Sequence, residues 1–69
     1  MSVARITEIT SDSEKSFKEA IERGIKRSTK TLKNVTGAWI QDQEVVVEND
    51  SIVLYRVRMK VTFVLTDKE

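Results

Sequence analysis

Trp39, the chain's one tryptophan, and Gly37, one of its two glycines, stand two places apart in the run NVTGAWIQDQEVVVEND, with Gln41 two places further on. Residues at that spacing share one face of a β-strand. The run YRVRMKVTFVL sets Arg56, Arg58 and Lys60 at the same period. An indole beside guanidinium groups can pack between subunits, stack on Arg56 or Arg58 by a cation–π contact, or stack on a planar ligand. Gly37, Trp39, Gln41, Arg56 and Arg58 are therefore the candidates for a ligand site or a subunit interface. Subunit packing is the first reading to weigh, because a chain of 69 residues builds only a modest core and such chains often lean on self-association.

Other chemistry is narrower. The sequence has no histidine and no cysteine, which removes the usual base, the usual proton shuttle, thiolate metal sites and disulfides. No spacing joins a nucleophile to a base and an orienting partner, so the chain reads as a non-enzyme. Asp42, Glu44, Glu48 and Asp50 offer hard oxygen ligands, but they are spread along a strand and a turn. Calcium takes six to eight oxygens, so a calcium site would need carboxylates converging from several subunits, and a solvated acidic edge is the favoured account. Twelve basic residues against eleven acidic ones leave a net charge of +1, a weak field for nucleic acid or an anionic membrane. Arg56, Arg58 and Lys60 with Trp39 could still neutralise and stack a single strand, which keeps a nucleic-acid-binding module as a disfavoured alternative. MSVARITEIT lacks an apolar core of signal-peptide length, and no apolar run approaches the ~20 residues that cross a bilayer. The expected location is the cytoplasm.

The elements that must position these residues follow one another closely, since there is no proline, repeat or low-complexity tract. Alternation predicts a first strand over about Val3 to Thr10. The cluster TSDSE supplies cap chemistry, with a Ser11/Glu14 capping box, and places a helix start near Ser13. Phe17, Ile21, Ile25, Ser28, Leu32 and Val35 lie on one helical stripe ending near Asn34. The charges predict Glu14/Lys18, Glu19/Arg23 and Glu22/Lys26 pairs on the solvated face, and Gly24 marks close approach of another backbone. A second strand is expected from about Ala38 to Val47. The tetrapeptide ENDS then turns the chain into a third strand from Ile52 to Leu65, with Asn49 and Asp50 taking positive φ. Tyr55, Val57, Met59, Val61, Phe63 and Leu65 alternate with Arg56, Arg58, Lys60, Thr62 and Val64, giving an apolar and a largely cationic face. The architecture is a single α+β domain over residues 1–69, β-α-β-β, with a three-stranded antiparallel sheet packed on one long helix. Gly37, Trp39, Gln41 and Gln43 fall on the sheet face away from the helix, beside Arg56, Arg58 and Lys60.

From about Val3 to Leu65, the run SFKEAIERGIKRSTKTLKNVTGAWIQDQ, the β-α-β-β order and the ending YRVRMKVTFVL resemble the dodecins, small flavin-binding proteins that assemble as hollow homododecameric shells. The family's Gly-Thr-Ser opening is here Ser11-Asp12-Ser13, which keeps only the last serine. The resemblance implies the same fold, a shell of twelve copies, and storage of a flavin (FMN or riboflavin). In the family a tryptophan at the start of the second strand stacks on the isoalloxazine ring, and a glutamine after the third-strand aromatic bonds its polar edge. Those positions fall on Gly37 and Arg56. Glycine cannot stack, and arginine donates but does not accept. Trp39 lies roughly 6 to 7 Å further along the same face. It either leans across Gly37 to hold a planar ligand or packs against Arg56 or Arg58 of a neighbouring subunit, and the second is favoured because it needs only ordinary packing. A dodecin-like branch without the flavin tryptophan is associated with calcium.

Overall fold

The computed structural model describes residues 3–65. β1 (Val3–Ser13), α1 (Phe17–Thr31), β2 (Val35–Glu48) and β3 (Ser51–Leu65) follow in the predicted order. The sheet is antiparallel with strand order β1-β3-β2, so the amphipathic β3 is central and both of its neighbours are edges.

The alternation of β3 sets the layering. Val57, Met59 and Val61 are fully buried under the helix, each such side chain contributing about 1.5–3 kcal/mol. Ala20 joins them, and Ile9, Phe17, Ile21, Ile25, Leu32, Val35 and Ile40 pack around this centre. Phe17 meets Tyr55 edge to face at 5.2 Å. The helix residues that reach deepest are Ala20, Gly24 and Ser28, small side chains spaced four apart that let α1 lie close on the sheet. A Cβ at Gly24 would stand 2.9 Å from Met59 Cε, 3.1 Å from Ser11 Cβ and 3.3 Å from Ile9 Cδ1. The approach marked by Gly24 is therefore to side chains of β1 and β3, where the sequence suggested another backbone.

Several boundaries differ from expectation. β1 continues to Ser13, which pairs with Tyr55, so neither Ser13 nor the Ser11/Glu14 pair starts the helix. Ser16 is the N-cap, its hydroxyl accepting from the Glu19 N–H at 3.0 Å. The buried Ser13 hydroxyl accepts from the N–H of Lys15 and of Ser16 and donates to the Glu19 carboxylate, which satisfies the bend between strand and helix. With its carboxylate committed there, Glu19 makes no pair with Arg23, and none of the three predicted helix ion pairs is among the salt bridges of the described residues. The helix stops at Thr31, with the Leu32 N–H bonded to the Ser28 carbonyl at 2.9 Å. Asn34 then takes φ 64°, and Val35 is already in β2. β3 begins at Ser51, one residue before expectation. Asn49 and Asp50 adopt φ 52° and 65°, as the hairpin turn requires.

Beyond the Ser13–Tyr55 pair, the β2–β3 ribbon runs on without β1 beside it. Val47 and Ile52 on this extension are 56% and 51% exposed, and Val45, opposite Tyr55 at its base, is 38% exposed.

Candidate functional site

The sheet face away from the helix is ordered in four rows, each crossing from β1 through β3 to β2. They are Ile6–Thr62–Gly37, Glu8–Lys60–Trp39, Thr10–Arg58–Asp42 and Asp12–Arg56–Glu44. Cross-strand partners lie on the same side of a sheet, and the burial of Val57, Met59 and Val61 beneath the helix assigns the rows to the open side.

Trp39 and Gly37 take the expected face, but Gln41 does not keep its place. A register shift between Ile40 and Asp42 puts Gln41 in a bulge, so Asp42 and Glu44 enter the rows and Gln43 falls opposite the buried Val57. The face that looked cationic thereby presents three cations to four carboxylates. Arg56 donates to Asp12 through two parallel bonds, Nε to Oδ1 at 2.9 Å and Nη2 to Oδ2 at 3.2 Å. Its Nη1 stands 4.0 Å from Glu44. Arg58 donates to Asp42 at 2.9 Å and to Glu44 at 2.7 Å. Lys60 lies 3.7 Å from Glu8 and 5.3 Å from the centre of the Trp39 ring. Within the chain the cation over the indole is thus Lys60 and not an arginine.

The electrostatics follow from these contacts. The Arg56 hydrogen bond holds the Asp12 carboxyl below its ordinary value, outweighing desolvation, which pushes the other way. The Asp12 hydrogen bond in turn raises Arg56, and bonds to Asp42 and then Glu44 raise Arg58. Two donors of Arg56 and two of Arg58 are taken up by the chain's own acids.

At the other end of the rows the face is open and apolar. Trp39 is 64% and Ile6 60% exposed, on the two strands that flank Thr62. A Cβ at Gly37 would meet nothing within 4 Å, so the surface at this glycine, two residues from the indole, is open. Sequence reasoning did not place Asp12, Asp42 and Glu44 on this face. Asp12 competed as a helix cap, and the two β2 acids reach this face only through the bulge. Among the described residues no group of three or more acidic side chains is disposed to hold a metal ion.

The dodecin family model matches residues 3–66. No curated protein matches the chain. Among solved structures, the dodecin from Streptomyces davaonensis superposes with a TM-score of 0.91 at 29% identity, covering 96% of this chain and 97% of that one. The dodecin from Streptomyces coelicolor gives a TM-score of 0.91 at 19% identity, over 97% and 96% of the two chains. A calcium dodecin from Mycobacterium tuberculosis, a calcium-chelating antigen with a calcium-binding site, gives 0.82 at 19% identity, over 97% and 96%. The latter two likenesses bear on the fold alone.

Proposed function

The chain belongs to the dodecin family, and we propose that it is a non-enzymatic cytoplasmic protein whose copies close into a hollow homododecameric shell, with the family's flavin binding weak or lost. The observation that carries the second half is the paired bonding of Arg56 to Asp12. At the ring-bonding position Arg56 commits its Nε and Nη2 to Asp12 and has no acceptor to offer, while the stacking position is Gly37. Assembly is supported by how little of the apolar surface one copy covers. Among the described residues only Ala20, Val57, Met59 and Val61 form the buried apolar centre, whereas Val3, Ile6, Trp39, Val45, Val47, Ile52 and Leu65 are exposed. A neighbouring copy is the ready cover for Trp39 and Ile6.

A second reading is favoured by one specific feature. The open surface at Gly37 lies two residues from an indole that is 64% exposed, so a flavin such as riboflavin or FMN could stack on Trp39 in a rearranged site. Calcium has less support, because Asp42 and Glu44 are engaged by Arg58 and Arg56. Single-stranded nucleic acid is weakened in the same way, since Arg56, Arg58 and Lys60 each have an acid within 4.0 Å.

The deciding experiment titrates riboflavin or FMN into protein of verified particle mass, following flavin and Trp39 emission together. A particle of twelve chains without mutual quenching is the expected result. Stoichiometric quenching of both would overturn the loss of flavin binding and establish Trp39 as the stacking group. A monomer would overturn the shell.

A further inference from the structure

A groove of about 690 Å³ runs between the outer side of α1 and β1. Ile9, Thr10, Ser11 and Asp12 line one wall, and Arg23, Lys26, Arg27 and Lys30 line the other. All four cations are exposed, and none has an acid within 4.0 Å among the salt bridges of the described residues. Their spacing costs the helix stability, because Arg23/Arg27 and Lys26/Lys30 are like charges four residues apart on one flank. The helix dipole offsets part of this for Lys30 near the C-terminus, but not for Arg23 in the middle of α1. A flank that concentrates uncompensated positive charge beside a concavity suits an anionic partner.

The same chain carries a part of matching charge that its own fold leaves uncovered. The β2–β3 ribbon projects past the end of β1, and its tip bears Glu48 and Asp50 around a tight turn. Both acids are exposed, and neither is in a salt bridge among the described residues. The exposed Val47 and Ile52 stand just behind them. Within one copy the ribbon leads away from the groove: the last β1 pair is Ser13–Tyr55, and the ribbon continues from Tyr55 toward Ser51 while the groove lies back along β1 at Ile9–Asp12. The acids must therefore come from another copy.

We propose that the groove bounded by Arg23, Lys26, Arg27 and Lys30 receives the acidic hairpin tip, Glu48 and Asp50, of a second copy of this chain. The inference rests on the self-assembly reading above and assigns one of its contacts. The contact is heterologous, tip into groove, so each copy both gives and receives, which is the form that closes rings. The tip supplies two carboxylates to the side of the groove that carries four cations, opposite the wall at Ile9–Asp12. Exposed ion pairs are individually weak, but repeated around a closed assembly they set which surfaces meet and make the assembly sensitive to salt.

The test is a charge exchange read by particle mass against concentration, with circular dichroism confirming the fold of each variant. Reversing the tip alone, Glu48→Lys with Asp50→Lys, or the groove alone, Lys26→Glu with Arg27→Glu, should raise the concentration for half-assembly ~10-fold or more. The variant that combines both reversals should assemble again near the wild-type concentration. Folded single reversals that assemble like wild type would overturn the tip-in-groove contact while leaving the shell intact. Failure of the combined variant to recover while each reversal alone is impaired would also overturn it, because the two surfaces would then serve different partners such as a polyanion. A wild-type chain that is monomeric throughout would remove the shell and this contact together.

Discussion

Arg56, on the central strand, grips Asp12 at the end of β1 with two parallel bonds, Nε to Oδ1 at 2.9 Å and Nη2 to Oδ2 at 3.2 Å. Forty-four residues separate them in sequence. The pair joins the end of β1 to Arg56 in the row that ends at Glu44 on β2, so one guanidinium reaches toward all three strands. A planar fork meeting a carboxylate this way fixes register more firmly than a point charge would.

The pair predicts a pH dependence. Asp12 titrates below its ordinary value of 3.8 in the folded chain because Arg56 bonds its charged form. A group with a depressed folded value contributes stability that is complete above the unfolded value and is lost as pH falls through the folded one. Asp12→Asn should therefore lower the melting temperature at neutral pH, by ~1 kcal/mol or less in stability because the pair is partly solvated. The difference from wild type should shrink below about pH 4. Melts of both proteins from pH 2 to 7 check this, and a difference that persists unchanged at low pH would refute the role of the pair.

Gly24 gives a packing prediction. Alanine gains about 1 kcal/mol in helix propensity, but its Cβ would sit 3.1 Å from Ser11 Cβ and 2.9 Å from Met59 Cε. The Met59 terminus can move, whereas the Ser11 Cβ is fixed to β1, and overpacking of this sort costs roughly 1–3 kcal/mol. Gly24→Ala should come out destabilised by about 1 kcal/mol, and Gly24→Val by more than twice that. Denaturant melts decide it, with a stabilised Gly24→Ala chain as the contrary result.

What the sequence revealed and what it hid follow from the same residues. The alternation of Tyr55 to Leu65 and the stripe Phe17, Ile21, Ile25 made the element order and the two layers readable, because burial on one side writes a period into the chain. The bulge at Gln41 left no such mark. One extra residue in β2 exchanged Gln41 and Gln43 for Asp42 and Glu44 on the open face, turning a cationic surface into an ion-paired one. The line Ala20, Gly24, Ser28 was equally hidden, since a search for large apolar residues passes over the small ones that sit deepest. Ser13 read as a cap because its hydroxyl does bond N–H groups at the bend, only from the end of the strand and not from the helix.

Assembly should be visible in Trp39 itself. The indole is 64% exposed in the single chain, with only Lys60 over its ring at 5.3 Å. Burial against a neighbouring copy would shift its emission to shorter wavelength. Dilution should reverse that shift in step with the loss of particle mass, and Trp39→Ala should weaken assembly, given that a central aromatic commonly contributes 2 kcal/mol or more to an interface. Emission that is identical in the assembled and dispersed states would place Trp39 outside every subunit contact.

The sharpest prediction places a tryptophan and a glutamine at the two positions, Gly37 and Arg56, that the resemblance assigns to flavin stacking and ring bonding. Gly37 has no positive φ, and a Cβ there meets nothing within 4 Å, so Gly37→Trp starts its side chain without backbone strain or a clash at Cβ. Arg56→Gln replaces a group that only donates with one that both donates and accepts. It also releases Asp12, whose side chain is 36% exposed and can be solvated in place. Gly37→Trp alone should quench riboflavin weakly, since stacking without the edge contact gives affinity but poor orientation. The pair of substitutions should bind at least 10-fold more tightly than Gly37→Trp alone, the value of roughly one good hydrogen bond to a buried polar edge. Titrations of the two variants beside wild type, each first shown to be folded and assembled, make the comparison. Doubly substituted protein that still leaves riboflavin fluorescence unchanged would mean that Gly37 and Arg56 are not what keeps a flavin from this face, and that Trp39 and the Arg58–Asp42–Glu44 bonds exclude it by themselves.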